Sequence, residues 1–373
     1  MIRVLFFTHN LARQSGVANV IYNLIINTPS NIVKYTILAM PDKRNDEEYF
    51  KQLGVTVHIM PNLSLFNVVA IVRYINTFFS HNQFDIVHSH TWQMDKLLFR
   101  VARKHGVKKC ISHSHSSQLS ESRLKIAIYQ ILRLRLSKHA DYCAACSEQA
   151  GIALFGKNFP TLKNKLIIRN GIDCSIYMFN DVVRRQYRNE YNIESDCNVI
   201  GHVGRFSEGK NQIFLVEIMN VLKDINGNYK LILVGDGDTL KNVKEKVSEY
   251  GLNEFVIFMG GSDNVHSILN MFDLFIMPSF HEGLGISAIE AQANGLECIL
   301  SNAIPKEANL TNATILDLNA PIKVWTDTII SLPLKRHKEY NSKVIKAGYD
   351  SKYVGLEVSK FYQTITSAYA NSN

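Results

Sequence analysis

A chain of 373 residues, 46% of them apolar, can build two domains with separate cores. No segment approaches the roughly 18 consecutive apolar residues of a bilayer-spanning helix. Charge is unevenly held: residues 1–173 carry 22 Lys and Arg against 10 Asp and Glu, net +12, and the rest carries 19 against 23, net −4. A basic half seeks phosphate, whether on anionic lipid, a phosphorylated acceptor or nucleic acid. Nucleic acid is disfavoured, because no helix-turn-helix, RNA-binding or zinc-finger pattern accompanies the charge.

The opening MIRVLFFTHN reads as a short strand and a loop, not a signal peptide, so the chain is expected in the cytoplasm. Further strand-like runs are Ile32–Leu38, Val55–Ile59, Asp85–Ser89, Lys109–His113, Tyr142–Cys146 and Leu166–Ile168. A second series runs through Asn198–Val203, Lys230–Val234, Phe255–Met259, Leu274–Met277, Cys298–Leu300 and Thr314–Leu316. Amphipathic stretches separate most of these runs. Strands alternating with helices predict α/β architecture, and two series predict two Rossmann-like, doubly wound parallel-sheet domains. The expected domains are residues 1–176 and 177–350, joined near Asp173–Asp181, with helical spacing again from Ser351 to Tyr369. Six cysteines are scattered, and Cys143-Ala-Ala-Cys146 lies in a strand, where positions i and i+3 face opposite sides. Structural thiols are the reading taken.

Ligands of doubly wound sheets sit beyond the carboxyl ends of the strands. If the two domains face each other, the polar and Gly-rich residues after each strand would meet at a central cleft. In the first half these include Gln14-Ser15-Gly16, which starts a helix, and Asn170-Gly171. His88-Ser89-His90 and His113-Ser114-His115 form two HxH pairs. HxH on a strand puts both imidazoles on one face, an arrangement open to zinc. Polar lining is the preferred reading, with His115 toward a transferred sugar and no metal expected.

In the second half Gly204-Arg205 and Lys210-Asn211 follow a strand and open a helix. Arg205 offers a planar fork of donors and Lys210 a mobile charge, and both could serve one diphosphate. Gly235 and Gly261 end strands where backbone could approach a ligand. The block from Glu282 through Gly283, Leu284, Gly285, Ile286 and Ser287 to Glu290 is a glycine turn entering a helix. The first N–H groups of a helix lack partners within it and suit an anion. Two carboxylates flanking a phosphate seat suit a ligand that is anionic in the middle and hydroxylated at both ends, such as a nucleotide sugar. A helix beginning near Leu284 would place Glu290 about 9 Å along its axis, so the acids read as separate hydroxyl acceptors and not as a close catalytic pair.

Taken together these segments resemble glycosyltransferase family 4 with its two-Rossmann GT-B architecture. The style of HSH, RNGID and EAQANGL is similar to bacterial enzymes of capsular and extracellular polysaccharide synthesis. The resemblance implies retaining transfer from a nucleotide-diphosphate sugar, UDP by family habit, with no cofactor and no bound metal. It implies that Arg205 and Lys210 clamp the diphosphate, Glu290 takes the ribose, Glu282 lies near the donor sugar and His115 faces it. Backbone N–H groups of Ile286 and Ser287 would hold phosphate. Gly16, Gly204, Asn211, Gly235, Gly261 and Gly283–Gly285 would line the donor. Ser15, His88, His90, His113 and Asn170 would lie on the acceptor side, toward an oligosaccharide or lipid-linked saccharide. The last helix would return to the first domain.

Departures are Ser15 where consecutive glycines are common, Leu284-Gly285 for Leu-Pro, and Glu297 for a proline. No required charge is lost, so an active enzyme is expected. An epimerase of similar architecture and a silent polysaccharide-binding partner subunit are the alternatives. Eleven basic residues against one acid between Lys96 and Lys138, and the apolar, basic stretch Leu124–Leu136, predict an interfacial helix that docks on the inner face of an anionic membrane.

Overall fold

The computed structural model describes residues 1–13, 15–63, 67–117, 129–225 and 228–370. The chain divides into two units, one of Met1–Ile172 with the segment from Tyr349 onward, the other of Asp173–Gly348.

The first unit is built on β1 (Ile2–Thr8), β2 (Val33–Ala39), β3 (Thr56–Ile59), β4 (Ile86–Ser89), β5 (Lys109–Ser114), β6 (Tyr142–Ala145) and β7 (Lys165–Ile167). They form one sheet in the order β3-β2-β1-β4-β5-β6-β7, all pairs parallel. The second unit holds β8 (Asn198–Val203), β9 (Tyr229–Val234), β10 (Val256–Gly260), β11 (Leu274–Met277), β12 (Glu297–Ser301) and β13 (Thr314–Leu316). Their order is β10-β9-β8-β11-β12-β13, again parallel. Helices cover both faces of such sheets, which is why central strands such as Val4-Leu5-Phe6-Phe7 and Leu274-Phe275-Ile276-Met277 are apolar throughout and fully buried. Strand order reverses direction between β1 and β4 in one unit and between β8 and β11 in the other. Those reversals open the crevices where doubly wound sheets take ligands.

In the first unit the helix Ser351–Ala370 packs against the helix Gly16–Asn27. Gly355 makes the approach close: a Cβ there would sit 2.5 Å from the Asn27 carbonyl oxygen. Asn23 Nδ2 donates to Gly171 O at 2.9 Å, and Ile172 pairs with Asp350. In the second unit a buried Phe272 ring fills the place of a side chain at Gly201, where a Cβ would fall 1.9 Å from the ring.

The expected interfacial helix is corrected in part. Residues 124–128 lie outside the described residues. Residues 129–133 are helical, but the chain then turns, Arg135 takes φ +60°, and a separate short helix, Leu136–His139, begins. A left-handed residue cannot continue a right-handed helix, so one unbroken helix to Leu136 does not form. Ile131 and Leu134 are nonetheless exposed. No helix among the described residues is long and apolar enough to cross a membrane.

Candidate active site

In the second unit, the loops leaving β8 and β11 are bonded across the reversal of strand order. Phe280 N donates to Gly209 O at 2.9 Å, and Asn211 Nδ2 donates to Pro278 O at 3.2 Å. Asn211 adopts φ +58°, so the position expected to touch a donor is occupied in turning the loop. The turn after β9 lies on the same loop. A Cβ on Gly235 would sit 2.1 Å from Gly204 O, and one on Gly237 would sit 2.2 Å from Phe206 O. The glycine at 235 is thus required for loop-to-loop packing whatever else it lines.

These contacts bring together two residues that are 72 positions apart in sequence. Lys210 Nζ lies 2.5 Å from Glu282 Oε1, and Ser279 Oγ donates to the same oxygen at 2.8 Å. Ser301 Oγ in turn donates to Ser279 O at 2.6 Å. Glu282 is only 9% exposed, so its charge is held by an ammonium and a hydroxyl. Beneath them His202 is fully buried, and burial drives its pKa down to about 4. It is therefore neutral, and its Nδ1–H donates to Ile276 O at 2.9 Å. Arg205 faces the other way. Its guanidinium pairs with Asp238 at 2.8 Å, with both side chains largely exposed. An exposed pair of this kind is worth about 0–1 kcal/mol, so Arg205 is released cheaply.

The helix expected from Leu284 begins two residues later and spans Ile286–Ala293. Gly285 precedes it at φ +90°, a conformation closed to the proline common at that position. Gly285 has no side chain to cap the helix. Ala288 N and Ile289 N fold back to Gly285 O, while the N–H groups of Ile286 and Ser287 have no acceptor among the described residues. Two N–H groups at a helix N-terminus thus stand ready for an anion. Gly283 and buried Leu284 form the approach to this terminus, and Gly261 lies just past β10, whose Gly260 carbonyl accepts from Gly235 N at 2.8 Å. One helical face on, Glu290 Oε1 accepts from Tyr177 Oη at 2.7 Å. Burial raises the Glu290 pKa and the Tyr177 bond lowers it.

In the first unit, β4 and β5 are neighbours in register, which stacks their two HxH pairs. His88 Nε2 and His113 Nδ1 are 3.1 Å apart, and His90 Nδ1 and His115 Nε2 are 2.9 Å apart. His88 Nδ1 also meets Tyr362 Oη of the last helix at 2.6 Å. Burial, reinforced by neighbouring imidazoles, pushes the pKa of His88, His90 and His113 well below 6.5, and burial takes His115 to about 3. All four rings are neutral. His90 Nε2, His113 Nε2 and His115 Nδ1 are sealed without a protein partner. His88, His90 and His113 are the described residues nearest to a metal-ligand set, one nitrogen of each lying within 4.8 Å of the others. Nearby, buried Asp95 bonds Ser112 Oγ, and burial lifts its carboxyl to about 7. Ser15 caps the first helix, its Oγ accepting from Ala18 N, and Gly16 opens it with free space where a Cβ would stand. Asn170 is buried beyond the edge strand β7, its Oδ1 unpartnered.

The structure gathers the four histidines in one unit, and Lys210, Glu282 and the Ile286 terminus in the other. It turns Arg205 and Asn211 to partners of their own. Sequence reading missed Tyr177, Ser279, Asp238, Tyr362 and Asp95. Of these only Ser279, three residues before Glu282, stood beside a motif already singled out.

Comparison with known proteins identifies the family. Residues 14–176 match the family described as "Glycosyltransferase Family 4", and residues 183–314 match "Glycosyl transferases group 1". "Putative glycosyltransferase EpsF" of Bacillus subtilis (strain 168) is 32% identical over 339 residues, covering 88% of this chain and 86% of that protein. "Capsular polysaccharide biosynthesis glycosyltransferase CapH" of Staphylococcus aureus is 25% identical over 345 residues, 89% and 91% of the two chains. Among solved structures, Anabaena Alr3699/HepE in complex with UDP-glucose superposes with a TM-score of 0.79 at 17% identity, covering 98% of this chain and all of that one. The chain belongs to glycosyltransferase family 4, carries a group 1 domain in its second half, and is a glycosyltransferase of GT-B architecture.

Proposed function

We propose that this glycosyltransferase moves a sugar from a UDP-sugar to a saccharide or lipid-linked saccharide, with retention and without a bound metal, in the synthesis of bacterial surface polysaccharide. One observation carries the donor half of this reading: Lys210, paired with Glu282, and the uncapped N–H groups of Ile286 and Ser287 follow the two strands at one reversal of sheet order. A cation and oriented N–H groups beside a pocketed carboxylate neutralise a leaving diphosphate without metal chemistry. Arg205, held only by a surface pair, adds a second cation on release from Asp238. Glu290 accepts from ribose, and Glu282 holds the donor sugar.

The acid–base step follows from what the carboxylates lack. Glu282 already accepts from Lys210 and Ser279, so it is engaged as their partner. A departing phosphate oxygen therefore takes the acceptor proton, on the face from which the leaving group departs, and configuration is kept. The UDP complex of the Anabaena protein supports the choice of base, and the names of the Bacillus and Staphylococcus relatives support the pathway. The basic first half supports an anionic acceptor and peripheral docking at the inner membrane face from the cytoplasm.

Incubating purified protein with a panel of nucleotide sugars, with and without EDTA, tests this. UDP release with an α-configured product from an α-linked donor, insensitive to EDTA, is expected. Inversion, or loss of turnover with EDTA, would overturn it.

A further inference from the structure

Tyr177 lies in none of the motifs, yet the second unit holds it firmly. Asn294 Nδ2, at the end of the helix carrying Glu290, donates to Tyr177 O at 3.0 Å. Asn341 Nδ2 donates to Cys174 O at 2.8 Å, and Asn180 N donates to Asn270 Oδ1 at 2.7 Å. The segment around Tyr177 is therefore pinned on both sides, and the ring is 9% exposed with the edge of His266 against it. Burial, then the Glu290 charge, raise the phenol pKa well above 10. The hydroxyl stays protonated and can only donate to the carboxylate.

Glu290 has two oxygens in different situations. Oε1 is taken by Tyr177 at 2.7 Å. Oε2 has no protein partner and is not among the sealed atoms of the unit. A carboxylate fixed by one oxygen has a single remaining acceptor, already aimed.

We infer that Tyr177 is a positioning residue for the nucleotide: it clamps Oε1 of Glu290 so that Oε2 presents a fixed acceptor to the ribose hydroxyls. This rests on the proposed ribose role of Glu290. The clamp has an electrostatic consequence as well. Burial favours the neutral carboxyl and the Tyr177 bond opposes it. Without the phenol, Glu290 takes up its proton at a higher pH, and a protonated carboxyl accepts from ribose poorly.

Tyr177→Phe keeps the ring and removes only the donor. Calorimetric titration of the full chain with UDP, from pH 5 to 8, compares wild type, Tyr177→Phe, Glu290→Gln and the double variant. Tyr177→Phe removes a hydrogen bond to a carboxylate, part of whose effect is transmitted to the ligand, and should weaken UDP by about five- to tenfold near pH 6. Its loss of affinity on acidification should set in at higher pH than in wild type. Glu290→Gln reports the titration of UDP itself and should bind weakly, and adding Tyr177→Phe to it should change little.

A pH profile unchanged in Tyr177→Phe, or the same loss of affinity with and without Glu290→Gln, overturns the inference while leaving the ribose role intact. Wild-type UDP affinity in Glu290→Gln overturns both.

Discussion

The two units share one strand order and place opposite chemistry at its reversal. After β4 and β5 the first unit packs four imidazoles whose burial leaves none charged; they bond in two pairs, and three of their nitrogens have no protein partner. After β8 and β11 the second unit pairs Lys210 with Glu282 and leaves helix N–H groups open. Burial decides the difference. A histidine answers desolvation by losing its proton, whereas a buried carboxylate is set against an ammonium and a hydroxyl. Neutral donors and acceptors suit sugar hydroxyls, and fixed ions suit a diphosphate.

The contrast is sharpest in acid. An unfolded histidine protonates near 6.5, and the four buried rings do not, so stability present above that pH is lost as pH falls below it. Asp95 works the other way. Its folded pKa of about 7 lies above its unfolded value, so it binds a proton on folding through the same window and gains stability as pH falls. The histidines outnumber the carboxyl, so the first unit should lose stability as pH falls below 6. Hydrogen exchange at pH 7 and pH 5 reads each unit separately: the amides of β1, β4 and β5 should lose protection well before those of β8 and β11. Equal loss would break the comparison.

Next in size is the donor clamp. Lys210→Ala and Arg205→Ala should each lower turnover by about 100-fold or more, the scale of one lost transition-state donor. They should differ in stability. Lys210→Ala strands a carboxylate that is 9% exposed and should lower the melting temperature, while Arg205→Ala removes a surface pair and should not. Equal melting of the two variants would show that Glu282 does not need its partner.

The carboxylates come third. Glu290→Gln should mainly raise the Kd for UDP, and Glu282→Gln should mainly lower kcat with UDP affinity kept. A reversal of that pattern would exchange their roles. Smallest is Asp95→Asn, which removes the single opposing proton and should steepen the acid loss by about 1.4 kcal/mol per pH unit at most.

All thirteen strands of the described residues could be read from sequence, because each is a short apolar run closed by turn residues. Their order could not, since β1–β4 and β8–β11 pairing depends on contacts far apart in the chain. The same limit applies at the site. Glu282, Gly285 and Glu290 share one motif, and Arg205 and Lys210 share another, so both announced themselves. The Lys210–Glu282 pair joins the two motifs and exists only once the loops after β8 and β11 cross. Tyr177 sits in a segment without periodicity, and Tyr362 reads as one more apolar face residue of a long helix. Each is found only through the side chain it meets. Nothing in the sequence at Leu134-Arg135 marks the left-handed turn that ends the predicted helix.

In the proposed function the second unit binds and activates a nucleotide-diphosphate sugar through Lys210. Proton NMR of purified protein incubated with UDP-glucose, UDP-galactose or UDP-N-acetylglucosamine, without acceptor, tests it most directly. Slow, equimolar release of UDP and free sugar from at least one donor is expected, reduced about 100-fold or more by Lys210→Ala. Release that is unchanged in Lys210→Ala, or no UDP from any of the three, would contradict it.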